Sequence, residues 1–313
     1  MPNPRFLFLA GRQREALSNL RYGLTTARGL TLLLGEAGTG KTTMLETVVA
    51  ELVTEGVRFV RLSNPTLTRA EFYEFLTRTF GLPDDAVDSK TRFLFALRRE
   101  LQERHAAGVL SALIIDEALS VPYELLEEIR LLSNIETTTT KLLNVVLAGQ
   151  PELADRLNES SLRQLKQRIS LRCELKPMDM SETASYIAGR VRIAGGRPEH
   201  IFTREAVGAI FDASQGIART VNVVCDNALI GGFAAQVRPI SVAFIEEVRR
   251  DFDLKSVEPA KPETELPDAT AGHTATVAQF PTPAAEEPSR GDEAAQPPPM
   301  FGAARRKRRF SFF

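Results

Sequence analysis

Between positions 35 and 42 the chain reads Gly35-Glu36-Ala37-Gly38-Thr39-Gly40-Lys41-Thr42, a glycine-rich run closed by a lysine and a threonine. The spacing G-x-x-x-x-G-K-[ST] suits a loop that cradles phosphates. Its glycines let the backbone turn so that N–H groups point inward at phosphate oxygens, and the following helix adds its positive end. Lys41 is expected to reach the β- and γ-phosphates of a nucleotide, and the Thr42 hydroxyl to ligate Mg²⁺. The expected cofactors are therefore ATP and Mg²⁺, with Gly35 through Thr43 forming the cradle. The plain alternative, a glycine-rich turn before a helix, is opposed by context: the apolar run Leu30–Leu34 precedes the loop and a helical pattern follows it.

A second chemical signal is Leu113-Ile114-Ile115-Asp116-Glu117, an apolar strand that ends in two carboxylates. Parallel sheets bind ligands at the carboxyl ends of their strands, which would set Asp116 beside the glycine-rich loop. There Asp116 would hold Mg²⁺ through water, and Glu117 would orient or deprotonate an attacking water. The alternative is a solvated acidic pair at a helix start. An intact Glu117 favours hydrolysis over nucleotide binding alone.

These residues need a scaffold, and the pattern of apolar runs supplies one. Strands are expected at 29–34, 57–62, 109–115, 142–148 and 170–175. Helices fall between them at 12–26, 42–54, 69–80, 90–105 and 122–132. Short apolar runs such as Leu113-Ile114-Ile115 suit strands buried on both faces, and strand–helix alternation argues for a doubly wound parallel sheet. After Pro177 the strand signals stop. Four amphipathic helices follow, at 181–193, 203–214, 218–235 and 241–252, with Ser181 and Glu182 opening the first and Ser241 the last in capping positions. The expectation is an α/β core over 1–178 and a small all-α lid over 179–252.

Composition bounds what else the chain can be. Its 313 residues allow roughly two domains at about 150 residues each. With 43% hydrophobic and 25% charged residues it is an ordinary globular sequence, not a collagen-like or wholly disordered one. Lys+Arg total 39 against 40 Asp+Glu, so bulk charge gives no argument for nucleic acid. Two cysteines, Cys173 and Cys225, are too few for a disulfide scaffold and suit a reducing compartment, where both read as buried structural thiols. Neither they nor the three histidines show metal-ligand spacing. No apolar run approaches the ~18 residues that span a bilayer, so a soluble, cytoplasmic protein is expected, with any membrane contact peripheral.

The charge is not spread evenly. Nine of the 18 prolines lie between 259 and 299, and residues 253–300 carry nine acidic against three basic side chains. Such a stretch cannot bury enough apolar surface to offset its ordering entropy, and reads as a disordered acidic linker. Residues 301–313 then carry five basic side chains, Arg305 to Arg309, flanked by Phe301, Phe310, Phe312 and Phe313. Contact with anionic lipid, contact with nucleic acid, and a solvated tail all fit that end.

The loop, then Ile115-Asp116-Glu117-Ala118, then a helical lid together resemble an AAA+ ATPase. More narrowly the chain is similar to the general secretion pathway protein A (ExeA-type) family. The carrying stretches are Pro4-Arg5-Phe6-Leu7-Phe8, Arg14-Glu15-Ala16-Leu17, the loop through Thr43, Leu147-Ala148-Gly149-Gln150-Pro151-Glu152-Leu153, Leu162 to Ile169, and Gly216-Ile217-Ala218-Arg219. The resemblance implies further roles. Gln150 would be sensor 1, contacting the γ-phosphate or the water, with turn chemistry beside Pro151 as the alternative. Arg168 would be the arginine finger that one subunit lends to the next, with Arg163 in reserve and a solvated basic face (Arg163, Lys166, Arg172) as the alternative. Arg219 would be sensor 2, reaching from the lid, against plain surface charge. Asn64 would hold Glu117 inactive until a partner binds, against an ordinary turn before Pro65. Phe8, Leu9 and Arg14 would line the adenine pocket.

Two departures from the family are expected. Its larger members continue into a transmembrane helix and a peptidoglycan-binding part, which this chain is expected to lack, and its amino-terminal segment looks short. The function expected is ATP hydrolysis by a homo-oligomer, coupled to assembly or remodelling of a secretion or envelope complex. The alternatives are a DNA-associated ATPase of the transposition-helper type, which the neutral balance over 1–252 does not favour, and a nucleotide-gated scaffold.

Overall fold

Leu113, Ile114 and Ile115 are fully buried, as are Leu143 to Ala148 on another strand, so both strands must be covered on two faces. The computed structural model meets that need with a sheet between two helical layers. It describes residues 11–254 apart from Ala27, Asn64 and the side chain of Arg12. All described residues lie within one compact unit.

Five strands form the sheet: β1 (Leu30–Gly35), β2 (Arg58–Leu62), β3 (Ser111–Ile115), β4 (Leu143–Gly149) and β5 (Ile169–Leu175). Their order is β2-β3-β4-β1-β5, and every pairing is parallel. Between them run α1 (Gly11–Thr25) before β1, α2 (Lys41–Thr54), α3 (Arg69–Phe80), α4 (Lys90–Ala106) and α5 (Tyr123–Leu132). Two short helices, α6 (Glu152–Arg156) and α7 (Arg163–Lys166), link β4 to β5. The doubly wound parallel α/β fold expected from the sequence is the fold observed. Each expected strand is present, with ends displaced by at most two residues.

Side chains alternate across the strands and sort into two cores. Leu32, Leu113, Ile115, Val145 and Leu147 meet α3, α4 and α5 side chains such as Phe72, Phe93 and Leu126. Leu33, Ala112, Ile114, Val146 and Ala148 meet α1 and α2 through Leu20, Leu45 and Val48. A third apolar cluster belongs to the helices after the sheet: α8 (Met180–Ile193), α9 (Arg204–Ser214), α10 (Ala218–Ala234) and α11 (Val242–Asp251). It contains Tyr186, Ile187, Ile210, Val224, Cys225 and Ile245.

Capping explains the helix starts, with one correction. Thr68 and Glu71 form a capping box that sets the first residue of α3. For α8 the cap is Asp179, whose carboxylate accepts from the Glu182 backbone while Glu182 answers to the Asp179 N–H. Ser181, expected with Glu182 to open the helix, is its second residue, because Asp179 has the three-residue spacing to Glu182 that a capping box needs and Ser181 does not. Ser241 does precede α11, but its side chain makes no capping bond.

The topology locates the site. From β1 the chain crosses to β2 at one edge of the sheet, and from β4 it crosses past β1 to β5 at the other. The carboxyl ends of β1 and β4 therefore flank the switch point, the place where such sheets open a crevice.

Candidate nucleotide site

The loop after β1 is built by backbone that ordinary residues resist. Gly38 has φ 85° and Gly40 has φ 107°, both in the left-handed range that costs a side-chain-bearing residue roughly 1–2 kcal/mol. Gly38 is doubly constrained, since a Cβ there would come within 2.8 Å of the Arg219 Cβ and 3.1 Å of Ile217 Cγ2. The Thr39 hydroxyl donates to the Glu36 carbonyl at 2.8 Å and closes the turn. Gly35 packs under the loop, where a Cβ would meet the Leu175 carbonyl at 2.7 Å. Gly35, Glu36 and Thr39 thus shape the loop from behind, while Ala37, Gly38, Gly40, Lys41, Thr42 and Thr43 face a cavity of about 930 Å³.

Lys41 opens α2 and is half-buried. Its Nζ donates to the carbonyls of Gly35 at 2.6 Å and Glu36 at 2.9 Å. Burial pulls its pKa below the ordinary lysine value and the neighbouring Arg219 adds to that, while Asp116 and Glu117 oppose it. Asp116 follows β3, and its carboxylate is almost fully buried. One oxygen, Oδ2, accepts from Thr42 Oγ1 at 2.9 Å. The other, Oδ1, accepts from the Glu117 backbone N–H at 3.1 Å. Glu117 itself is exposed, with φ 55°. A non-glycine residue in the left-handed region is held there only by its surroundings.

Gln150 follows β4 and lines the same cavity. Arg219, in the first turn of α10, lines it from the lid side, and its backbone N–H donates to the Gly38 carbonyl at 3.0 Å. Two residues before α10, Gly216 has φ 72°, and a Cβ there would fall 1.8 Å from the Met178 carbonyl oxygen. The fold therefore brings Lys41, Thr42, Asp116, Glu117, Gln150 and Arg219 to one cavity.

Arg168 lies elsewhere. It is exposed, and it precedes Ile169, which pairs with Leu30 at the start of β1; Gly35, at the end of β1, pairs with Leu175. The length of the strand puts Arg168 roughly 20 Å from the loop. Its charge, behind that of Lys141, helps hold the Glu136 carboxyl below its usual range. Arg163 is likewise exposed. Arg14, on α1, is not among the described residues that line the cavity. Phe8, Leu9 and Asn64 lie outside the described residues, as do 255–300 and 301–313.

Four side chains escaped the sequence reading. From α8 and α10, Tyr186, Arg190 and Asn222 reach the cavity as a linked set: Arg190 donates to the Tyr186 hydroxyl at 3.1 Å, and that hydroxyl donates to Asn222 Oδ1 at 3.0 Å. The fourth is Arg61 on β2, whose guanidinium donates to Asp116 Oδ2 at 2.9 Å. No local motif marks them, because the fold brings Asn222 to Tyr186 and Asp116 to Arg61.

The donor set fits a magnesium nucleotide. The loop is open in front of Gly40, where a Cβ would touch nothing within 4 Å. Thr42 and Asp116 present a hydroxyl and a carboxylate oxygen side by side, and hard divalent cations take such oxygens together with water and substrate phosphates. Among the described residues no cluster of three or more His, Cys, Asp and Glu is placed to hold a metal ion.

Fold and site define a P-loop NTPase architecture, and residues 24–157 match the family described as an AAA domain. Within that class the chain resembles general secretion pathway protein A of Aeromonas hydrophila, to which it is 42% identical over 234 residues. That alignment takes in 74% of this chain but only 42% of the relative, so the chain spans less than half of that protein's length. Among solved structures, Cdc6p of Pyrobaculum aerophilum aligns over 79% of this chain and 70% of its own, with a TM-score of 0.59 at 18% identity. The Aeropyrum pernix ORC2 protein, in its ADPNP–ADP complexes, gives 0.57 at 18% over 78% and 68%. The RuvB Holliday junction branch migration motor of Thermotoga maritima gives 0.51 at 16% over 78% and 70%. At those identities the likeness is one of fold. No helix among the described residues is long and apolar enough to cross a membrane.

Proposed function

We propose that the chain binds ATP with Mg²⁺ and hydrolyses it in a homo-oligomer, coupling turnover to assembly or remodelling of a secretion or envelope complex. The observation that carries the reading is the contact between Thr42 Oγ1 and Asp116 Oδ2, at the mouth of a loop that only glycines can form. Together the two oxygens would hold the cation, which when bound neutralises charge on the phosphates. Lys41 releases its two backbone carbonyls and turns to the β- and γ-phosphates. Glu117 takes the proton of the attacking water, and Gln150 orients that water or the γ-phosphate. Arg219 senses the nucleotide from the lid, so that residues 179–252 move against 1–178 as the phosphate leaves. Arg168 cannot reach its own cavity and would serve a neighbour's, stabilising charge on the phosphoryl group.

The secretion role rests on the identity to general secretion pathway protein A. Residues 301–313 would then hold the protein at an anionic membrane face, since each basic residue near such a surface contributes about 1 kcal/mol. Flotation with phosphatidylserine vesicles tests this: the full chain should float and a chain ending at 300 should not. Equal flotation of the two contradicts it.

Steady-state ATPase rate against protein concentration tests the main proposal. The rate should rise more than linearly, and should collapse in both Glu117→Gln and Arg168→Ala. A linear rate indifferent to Arg168→Ala would mean a site complete within one chain. A scaffold that does not turn over would show no rate at any concentration.

A further inference from the structure

Arg61 occupies an unusual position for a strand residue. It lies on β2, and its side chain passes between α2 and the end of β3. One guanidinium nitrogen donates to Asp116 Oδ2 at 2.9 Å, and the other pairs with Glu46 at 3.3 Å. Its Nε is buried and makes no hydrogen bond among the described residues, where the two carboxylates are its ion-pair partners. Asp116 Oδ2 is the same oxygen that accepts from Thr42. Glu46 stands on α2 one turn behind Thr42, on the same face of the helix.

We propose, resting on the reading of the cavity as a magnesium–nucleotide site, that Arg61 is a positioning residue that holds Asp116 and sets how much divalent cation the site demands. A guanidinium keeps its charge at any working pH, so the repulsion between it and an incoming cation cannot be relieved by losing a proton. A cation drawn to Thr42 and Asp116 must therefore share Oδ2 with a fixed positive charge. Glu46 is the counterweight. It draws Arg61 away from Asp116 along α2, and so favours the cation. The three residues form a balance: one carboxylate faces the metal, the other restrains the arginine, and the arginine divides its bonds between them. Arg61 also fixes the carboxylate's direction, since Thr42 and the Glu117 N–H would otherwise be its only anchors. The cost is a higher cation requirement, which ties occupancy of the site to the metal arriving with its nucleotide.

The test is a titration of the full chain with Mn²⁺, standing for Mg²⁺ as a spectroscopic probe, at saturating ADP, with free Mn²⁺ read by electron paramagnetic resonance. Arg61→Gln, which keeps a donor but drops the charge, should lower the half-saturating Mn²⁺ by about fivefold or more, fivefold being the scale of one charge a few ångströms away under full water screening. Arg61→Lys should stay within about twofold of the parent, because the charge remains. Glu46→Gln should move it the other way, raising it by about two- to fivefold, and that rise should vanish when Arg61→Gln is added. General damage to the fold cannot produce opposite shifts from two ends of one ion-pair chain. An unchanged or raised Mn²⁺ requirement in folded Arg61→Gln overturns the proposal. So does a Glu46→Gln effect that persists without Arg61; should Arg61→Gln not fold, an unchanged or lowered requirement in Glu46→Gln overturns it as well. A parent chain that binds no Mn²⁺–ADP overturns the nucleotide reading beneath it, which separates that failure from the failure of this inference.

Discussion

The two ends of the sheet contrast sharply. At the carboxyl ends of β1, β3 and β4, Lys41, Thr42, Asp116, Glu117 and Gln150 converge, and Arg219 joins them from α10. At the amino end of β5, Arg168 stands exposed beside the Glu136–Lys141 pair and is not among the residues that line their cavity. One end gathers the groups a phosphate site needs, and the other presents an exposed cation beside Glu136. A parallel sheet produces this asymmetry, because its strand ends differ and loops at the carboxyl side face the switch point. On the proposed reading, the contrast makes these two half-sites, which a second copy of the chain would bring together.

The strongest way to break the comparison is at the sparse end. Arg168→Ala should lower kcat by about a thousandfold or more while leaving ADP affinity within about twofold, since a finger supplied in trans acts on the transition state. Isothermal titration with ADP and a steady-state ATPase assay check the pair of effects; a small loss in kcat would move the finger to Arg163. At the crowded end, Glu117→Gln should cost about 10²–10⁴ in kcat and keep nucleotide bound, because it removes a base and no phosphate contact. Loss of ATP binding in that variant would mean that Glu117 shapes the loop instead.

A smaller effect sharpens the picture of the loop. Gly38→Ala and Gly56→Ala both put a side chain at positive φ, 85° and 89°, but only the first meets anything: Arg219 and Ile217. Gly56→Ala should cost about 1 kcal/mol of stability and spare nucleotide binding. Gly38→Ala should cost more, and should weaken ADP binding by pushing α10 off the loop. Denaturant melts with an ADP titration distinguish the two; equal outcomes would mean that the Arg219–Gly38 contact is incidental.

How much of this was legible beforehand follows from range. The buried strands are local signals, and α3 begins and ends at the residues expected, Arg69 and Phe80. The glycine-rich loop and Asp116-Glu117 are local too, so the chemistry at the crowded end could be anticipated. The cap of α8 is Asp179 where Ser181 and Glu182 are expected to open the helix: aspartate and serine are both capping types, and of the two Asp179 alone stands three residues before Glu182. Helices α6 and α7, five and four residues long, are too short to show a helical period. Arg61 was invisible because its partner lies 55 residues away and reading β2 as a strand says nothing of what its alternate side chains meet.

The smallest expected effect concerns the thiols. Burial raises Cys173, on β5, to about 11, and raises Cys225, in α10, to about 12 with Asp226 adding to it. A thiol raised in the folded state keeps its proton there longer than in the unfolded chain, so it stabilises the fold below the unfolded value of ~8.5 and loses that contribution as pH climbs toward 11 and 12. Stability should therefore drift down above about pH 9, and iodoacetamide at pH 8 should label neither thiol until the chain unfolds. Fast labelling of Cys225 alone would show the helices after β5 opening by themselves.

The most direct test of the two half-sites is to mix two inactive variants. Lys41→Ala lacks a working cavity but keeps Arg168; Arg168→Ala keeps the cavity but lacks the finger. If neighbouring copies complete each other, the mixture should recover ATPase activity, up to about a quarter of the parent rate for random pairing, where neither variant alone shows any. A mixture as inactive as its components, with both variants folded and assembling like the parent chain, would contradict the account.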